Sequence, residues 1–358
     1  MTQKIKVIVV GCGNMGSSHA RAYHRLEGFE IVGLVSRQPE SRQRLSDELG
    51  GYPTYSSLEE ALAHSKADAV SVNTYPDTHA ALVSEALQAG CHVFVEKPLA
   101  LTVEEAEGLV RLAAEKNRKM VVGYILRVHP AWSRFVSLAR GLGKPLVMRM
   151  NLNQQSSGGQ WYTHKQLMRS MSPIVDCGVH YVDMMCLMTG SRPVSVSAIG
   201  ARLSDEIADE MYNYGQLQVR FEDGSVGWYE AGWGPMMSET AFFVKDVIGP
   251  KGCVSIQDSE KGDSDDIEGH SKTGSLLLHH SELKPDGSFA RADEVISTAD
   301  EPDHDGLCLL EQEFFLKAIT DDLDLREHLR DAVSSMQIVL AADASVRSGN
   351  TIFLNSNP

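Results

Sequence analysis

Apolar positions along the chain follow two rhythms. From residue 4 to about 124, short β-branched runs alternate with stretches of helical period. Residues 4–10 (Lys-Ile-Lys-Val-Ile-Val-Val) end in an unbroken apolar run, the pattern of a parallel strand covered on both faces. Glycines follow, then a helix-like stretch through Arg25. Residues 30–36, 68–73, 92–95 and 119–123 read as further strands. Ser57 and Thr102 each stand three residues before a glutamate, Glu60 and Glu105, which is capping-box spacing. The helix from Thr102 is expected to run to about Asn117. Asp77 is expected to cap another helix, which stops at Gly90. Strands alternating with helices in this way imply a parallel sheet covered by helices on both faces.

After residue 124 the rhythm changes. Residues 146–154 and 193–203 alternate as half-buried strands do. Residues 212–233 predict a hairpin turning at Glu222-Asp-Gly-Ser225, because Asp-Gly supplies positive φ. Residues 240–256 predict a second, around Gly249-Pro-Lys-Gly252. An open, largely antiparallel sheet follows from these. Two helices are expected near the end, at about 307–321 and 326–347, with Gly349 as a stop. The polar, acidic stretch 258–305 is rich in turn residues and is expected to contain surface loops.

A length of 358 residues fits two domains. With 42% hydrophobic and 23% charged residues, the chain is globular and not disordered. Its net charge of −15 argues against nucleic acid as a partner. The acidity is uneven: residues 1–124 hold 13 basic and 15 acidic groups, whereas 258–305 hold 4 and 14. No apolar run reaches about 18 residues, so neither a spanning helix nor a membrane partner is expected. The N-terminal apolar run ends in glycines and lacks a small-residue cleavage site, unlike a signal peptide. Six scattered cysteines with no C-x-x-C pair suggest reduced thiols and a cytoplasmic location.

Gly11-Cys-Gly-Asn14-Met15-Gly16 has G-x-G-x-x-G spacing, follows a strand and opens a helix. Gly11 allows the turn, Gly13 lets backbone approach a pyrophosphate, and Gly16 lets the helix pack on the strand. The helix N-terminus adds amide donors for the phosphates. An acidic residue that would bind a ribose hydroxyl is missing about 20 residues on; Ser36-Arg37 stands there. A hydroxyl and a guanidinium suit a 2′-phosphate, so NADP(H) is favoured over NAD(H), which stays open. Asn73, Thr74, Tyr75 and His79 follow the next strand and are expected to meet the cofactor, although packing or capping suits His79 equally well. The first domain, 1–124, is therefore expected to be a Rossmann dinucleotide-binding α/β domain. The second, 125–358, is an α+β domain for substrate binding and oligomerisation, whose C-terminal helices can pack back on the first.

Glu96-Lys97-Pro98 ends the strand at 92–95, which places Lys97 where ligands of such sheets bind, and Pro98 is a candidate cis residue. Ser172-Pro-Ile-Val-Asp176-Cys-Gly-Val-His180 begins with helix-start signals. Asp176 and His180, four apart, share a face of an otherwise apolar helix. Buried carboxylate and imidazole groups need partners. Gly178 between them weakens the helix by about 1 kcal/mol, so something is expected to approach the backbone there. The competing reading is a structural His–Asp pair. No metal is expected: Asp176, His180 and Asp183 could supply ligands, and Asp303-His-Asp305 reads as solvated acid.

Taken together, Gly11-x-Gly-x-x-Gly16, Glu96-Lys97-Pro98 and Asp176-x-x-x-His180 resemble the Gfo/Idh/MocA family of oxidoreductases, which includes inositol, glucose and other sugar dehydrogenases. The resemblance implies that Lys97, Asp176 and His180 are catalytic and line a site between the domains. His180 would take the hydroxyl proton, Lys97 would bond the same oxygen, and Asp176 would orient His180 or bind substrate hydroxyls. It places Glu96 and Lys97 at the cofactor and Arg127 at the cofactor or substrate. The implied activity interconverts a ring secondary alcohol and ketone of a sugar, glycoside or inositol by hydride transfer. Two other readings are a glycoside-cleaving enzyme that retains its dinucleotide and a non-catalytic dinucleotide- or sugar-sensing regulator. Trp161, Tyr162, Trp228, Tyr229 and Trp233 suit stacking on sugar faces, or core packing. The chain departs from the family at Arg169-Ser-Met-Ser-Pro173, where relatives have glycines, and at Ser36-Arg37, where many have an acid. The open second sheet is expected to pair with another copy, giving a homodimer or homotetramer.

Overall fold

The computed structural model describes residues 4–238, 244–257 and 273–354. The β-branched runs of the first half form six parallel strands: β1 (Ile5–Val10), β2 (Phe29–Val35), β3 (Thr54–Tyr55), β4 (Ala69–Val72), β5 (His92–Glu96) and β6 (Met120–Gly123). Their order is β3-β2-β1-β4-β5-β6. The order reverses at β1 and β4, and such a switch point is where open α/β sheets bind ligands. The helices between are α1 (Asn14–Arg25), α2 (Pro39–Leu49), α3 (Leu58–His64), α4 (His79–Gln88) and α5 (Val103–Glu115). Both expected caps form: Ser57 Oγ accepts from Glu60 N at 3.2 Å and Thr102 Oγ1 from Glu105 N at 3.1 Å. Asp77 differs from expectation. It sits inside a 3-10 turn, Pro76–Thr78, and α4 begins after it with no side-chain cap.

Contacts divide the chain into two units, Met1–Val128 with Pro302–Val333, and His129–Glu301 with Ser334–Pro358. α11 (His304–Thr320) packs on α1 and falls in the first unit. Phe315 of α11 lies 6.1 Å from the rings of both Phe29 and Phe94, within the core that includes Val7, Val9, Tyr23 and Leu34. The short α6 (Ile125–Val128) also belongs to this unit.

The second unit is built on a nine-stranded sheet ordered β14-β13-β12-β11-β7-β10-β9-β8-β15. Its strands are β7 (Val147–Gln155), β8 (Pro193–Ala201), β9 (Tyr214–Phe221), β10 (Val226–Gly234), β11 (Lys245–Gly249), β12 (Gly252–Gln257), β13 (Ser275–His280), β14 (Glu294–Ser297) and β15 (Ile352–Phe353). Neighbours are antiparallel except β7 and β10, which run parallel. Both expected hairpins are present, β9–β10 and β11–β12; positions 240–243 of the second lie outside the described residues. The stretch expected to contain surface loops also carries the strands β13 and β14, and 258–272 lies outside the described residues. Leu276, Leu277 and Leu278 make the strand, and the surrounding acid masks them in any average.

The helices of this unit are α7 (Pro130–Gly141), α8 (Gly158–Leu167), α9 (Pro173–Asp176) and α10 (Gly178–Thr189); α12 (Arg326–Ser348) spans the division between units. Among the described residues, no helix is long and apolar enough to cross a membrane.

Candidate active site

The glycine turn joins β1 to α1. A Cβ on Gly11 would lie 2.3 Å from Asn73 O, and one on Gly16 only 1.8 Å from Gly11 O. Both glycines are therefore fixed by backbone packing. Gly13 differs: a Cβ there would meet nothing within 4 Å, and as the N-cap of α1 it brings no side-chain hydrogen bond. The first turn of α1 holds no acidic residue, and Asn14 is exposed and Met15 half-buried beside Gly13. Bare backbone at a helix N-terminus fits a pyrophosphate. At the end of β2, Ser36 Oγ accepts from Gln38 N at 3.2 Å, Arg42 Nη1 donates to Ser36 O at 2.6 Å, and Arg37 is exposed.

The loop after β4 is less open than its sequence suggests. The Asn73 side chain turns inward, with Nδ2 3.0 Å from Ser71 Oγ. Thr74 and Thr78 pair through their hydroxyls at 2.6 Å, while Tyr75 is exposed. His79 is wholly buried, with Nδ1 2.8 Å from Pro98 O and Nε2 3.0 Å from Thr74 O. Burial pushes its pKa down, against the pull of those two carbonyls.

Lys97 is half-buried at the end of β5, and its bond to Pro98 is cis. Glu96 faces inward. Its Oε1 lies 2.7 Å from His19 Nε2, and its Oε2 accepts from Lys97 N at 3.2 Å. Burial raises its pKa, but the hydrogen bond and charge of His19, with Lys97 and His79, outweigh this and hold it below the usual value. Arg127 pairs with Asp331 at 2.9 Å, within the same unit.

Asp176 and His180 lie in the second unit. The expected single helix is interrupted between α9 and α10, yet Cys177 keeps helical angles, φ −85° and ψ −39°. Ser172 Oγ accepts from Val175 N at 3.3 Å and donates to Asp343 Oδ1 at 2.7 Å, so the start of α9 is anchored to α12. What approaches Gly178 is the ring of Tyr229, whose Cε1 would lie 2.9 Å from a Cβ there. Asp176 is half-buried, and His180 and Asp183 are buried. Around Asp176, Cys177 Sγ lies 3.6 Å from Asp176 Oδ2 and 3.8 Å from Gln154 Oε1. Trp233 Nε1 donates to the same Gln154 oxygen at 2.9 Å, and the His164 ring stacks on Trp233 at 4.4 Å. Burial lowers the His164 pKa to about 4, with the charge of Asp176 pulling the other way.

The aromatic set divides. Tyr229 and Trp233 are core residues, and Trp161 is buried with Nε1 3.1 Å from Glu206 Oε1. Only Tyr162, at 62% exposure, and the half-buried Trp228 present ring surface. Asp303 caps α11, accepting from Gly306 N at 2.8 Å, which gives Asp303-His-Asp305 a local structural role.

Sequence reasoning passed over His19, Gln154, His164, Glu311 and Gln312. For His19, Glu311 and Gln312 the available signal was a polar residue on a helix face that is otherwise largely apolar; Gln154 lies on β7 and His164 on the polar α8, which carry no such signal. Among the described residues, one metal-capable trio, His19, Cys308 and Glu311, has ligand atoms within 4.8 Å of one another. Both ring nitrogens of His19 are already hydrogen-bonded, to Glu96 and Gln312, so the trio reads as part of that network.

A family model for the oxidoreductase family with NAD-binding Rossmann fold matches residues 5–124, and one for the GFO/IDH/MocA C-terminal domain matches residues 138–253. The chain belongs to the Gfo/Idh/MocA oxidoreductases. Within that family it is 31% identical over 201 residues to UDP-N-acetylglucosamine 3-dehydrogenase of Acidithiobacillus ferrooxidans, covering 56% of this chain and 59% of that protein. It is 29% identical over 199 residues to inositol 2-dehydrogenase of Corynebacterium glutamicum, covering 55% of this chain and 57% of the relative. The chain thus spans under two thirds of the length of these curated relatives. The family fold extends over the whole chain: a crystal structure of an NAD binding oxidoreductase from Klebsiella pneumoniae superposes with TM-score 0.81 at 18% identity, covering 99% of this chain and 100% of that one.

Proposed function

We propose that this Gfo/Idh/MocA chain interconverts a ring secondary alcohol and ketone of a sugar, glycoside or inositol, with a nicotinamide dinucleotide as its hydride partner. The observation that carries the reading is that one chain keeps both the bare Gly13 turn at the N-terminus of α1 and the set Lys97, Asp176 and His180. The names of the two relatives, a UDP-N-acetylglucosamine 3-dehydrogenase and an inositol 2-dehydrogenase, suggest the substrate class.

In this reading the amides around Gly13 hold the pyrophosphate, and Ser36 with Arg37 receives a 2′-phosphate, which favours NADP(H). Bound nicotinamide supplies the hydride acceptor or donor. His180 takes the hydroxyl proton as general base. The Lys97 ammonium donates to the same oxygen and stabilises charge developing there. Asp176 orients His180 or holds a neighbouring hydroxyl. Six scattered cysteines with no C-x-x-C pair fit a reducing compartment, and we take the cytoplasm as its place. Exposed Ile199, Ile248 and Phe353 on the nine-stranded sheet favour a homodimer or homotetramer through that face.

The test is a Lys97→Ala variant. Turnover is expected to fall by about 100-fold or more while dinucleotide still binds. Undiminished turnover of a substrate accepted by the parent would overturn the assignment.

A further inference from the structure

Lys97 is carried by a backbone segment with a buried imidazole at each end. On one side is His19 of α1, wholly buried, with Nε2 2.7 Å from Glu96 Oε1. Gln312 of α11 lies behind it, with Nε2 2.9 Å from His19 Nδ1. An amide N–H donating there leaves the imidazole proton on Nε2, where Glu96 accepts it. The other oxygen of Glu96 takes the Lys97 N–H at 3.2 Å. On the far side, His79 Nδ1 of α4 lies 2.8 Å from Pro98 O and Nε2 lies 3.0 Å from Thr74 O; the neutral ring carries one N–H, and on Nδ1 it donates to Pro98 O. Every one of these groups belongs to the first unit.

The chain makes room for this arrangement. A Cβ on Gly123 would lie 3.0 Å from Phe94 and 3.5 Å from both Glu96 Cδ and Glu311 Oε1, so two carboxyl groups close over this one bare position. Glu311 is 2% exposed, and neither of its oxygens has a hydrogen-bond partner. Burial raises its pKa well above the usual range, and the negative charge of Glu96 raises it further. Glu96 is therefore the charged member of the pair and Glu311 the neutral one. A single negative charge, held by His19, stands directly behind the Lys97 backbone.

We propose that His19, fixed by Gln312, and His79 are positioning residues for Lys97: they clamp the segment Glu96-Lys97-Pro98 at both ends and so set where its ammonium stands. This rests on the reading of Lys97 as the catalytic cation. The clamp itself can be tested without turnover. The buried polar groups come from α1, α4, β5 and α11, and a core stabilised only by apolar contacts would not need them.

The decisive experiment uses the full chain and follows Lys97 acylation by a water-soluble amine reagent against pH, read by peptide mass spectrometry. Loss of the clamp in His19→Ala is expected to shift the apparent pKa of Lys97 by at least about half a unit. In turnover the same variant should lose about 10- to 100-fold in kcat, with substrate KM changed far less. His19→Gln, which keeps a donor near the Nε2 position, should recover most of both; His79→Ala should show the same two losses, and His79→Asn, which keeps a donor near Nδ1, should recover most of them. Should His19→Ala fail to fold, Gln312→Met removes only the outer hydrogen bond and carries the same expectation in smaller measure. Unchanged Lys97 acylation in a folded variant overturns the clamp, whatever turnover does. Full turnover by Lys97→Ala overturns instead the reading of Lys97, and the acylation profile still decides the clamp.

Discussion

Gly13 and Gly16 are three residues apart and differ in what a methyl group would do. At Gly16 a Cβ collides with backbone; at Gly13 it meets empty space. Gly13→Ala is therefore expected to leave the melting temperature within a few degrees of the parent and to weaken dinucleotide binding by at least about tenfold, as seen in a fluorescence titration. Gly16→Ala should lose folded protein instead. Equal effects at both positions would contradict the phosphate-cradle reading. In the proposed reading, cofactor choice is decided at Ser36 and Arg37. Ser36→Asp with Arg37→Ala should shift the kcat/KM ratio from NADP(H) toward NAD(H) by about tenfold or more, since a carboxylate repels a 2′-phosphate and accepts from a ribose hydroxyl. The candidates Gly11, Gly13 and Gly16, Lys97, Asp176 and His180 could be proposed from the sequence because short motifs carry them. His19 was not, because its partners Glu96 and Gln312 stand 77 and 293 positions away and no local pattern marks them.

At the level of elements, regular period and paired caps were readable and irregular pieces were not. Strands β1, β4, β5 and β6 follow from β-branched runs, and α3 and α5 from their capping boxes. α2 lacks a capping side chain, and its only marks are Pro39 at the start and Gly50 at φ 99° past the end. The piece carrying Asp176 and His180 was read as one helix but divides at Cys177, where Gly178 lets the ring of Tyr229 lie against the backbone. Gly178→Ala gains helix propensity, yet its methyl would stand 2.9 Å from Tyr229 Cε1. Overpacking should win, with a net destabilisation of about 1–3 kcal/mol in urea unfolding. Trimming the ring in Gly178→Ala/Tyr229→Leu should return part of that loss. A more stable Gly178→Ala would show that the contact does not set this position.

The whole molecule holds several histidines that are neutral because they are buried. Burial lowers His92 and His164 to about 4 and His328 to about 3. Unfolded, the same groups take up protons near pH 6.5, so their contribution is complete above that value and is lost as pH falls toward about 4. Glu311, with its raised pKa, acts in the opposite direction but is one group against three. The melting temperature should fall steadily between about pH 7 and about pH 4.5; a flat or rising profile would contradict the burial of these imidazoles. At this scale the change of rhythm suggested two domains with C-terminal helices able to return to the first, whereas the contacts of Phe315 in α11 with Phe29 and Phe94 span most of the chain and no local signal marks them. The acidic stretch likewise hid β13 and β14 behind its average composition. The claim that joins all scales is hydride exchange between a ring alcohol and a nicotinamide. It is tested most directly by incubating the protein with a panel of inositols, sugars and nucleotide sugars and each oxidised dinucleotide, following reduced nicotinamide by its near-ultraviolet absorbance, with Lys97→Ala in parallel. The expected result is reduction with at least one ring alcohol, faster with NADP than with NAD, and loss of the signal in Lys97→Ala. A parent protein that binds dinucleotide yet reduces none with any member of the panel, or a Lys97→Ala variant as active as the parent, would contradict it.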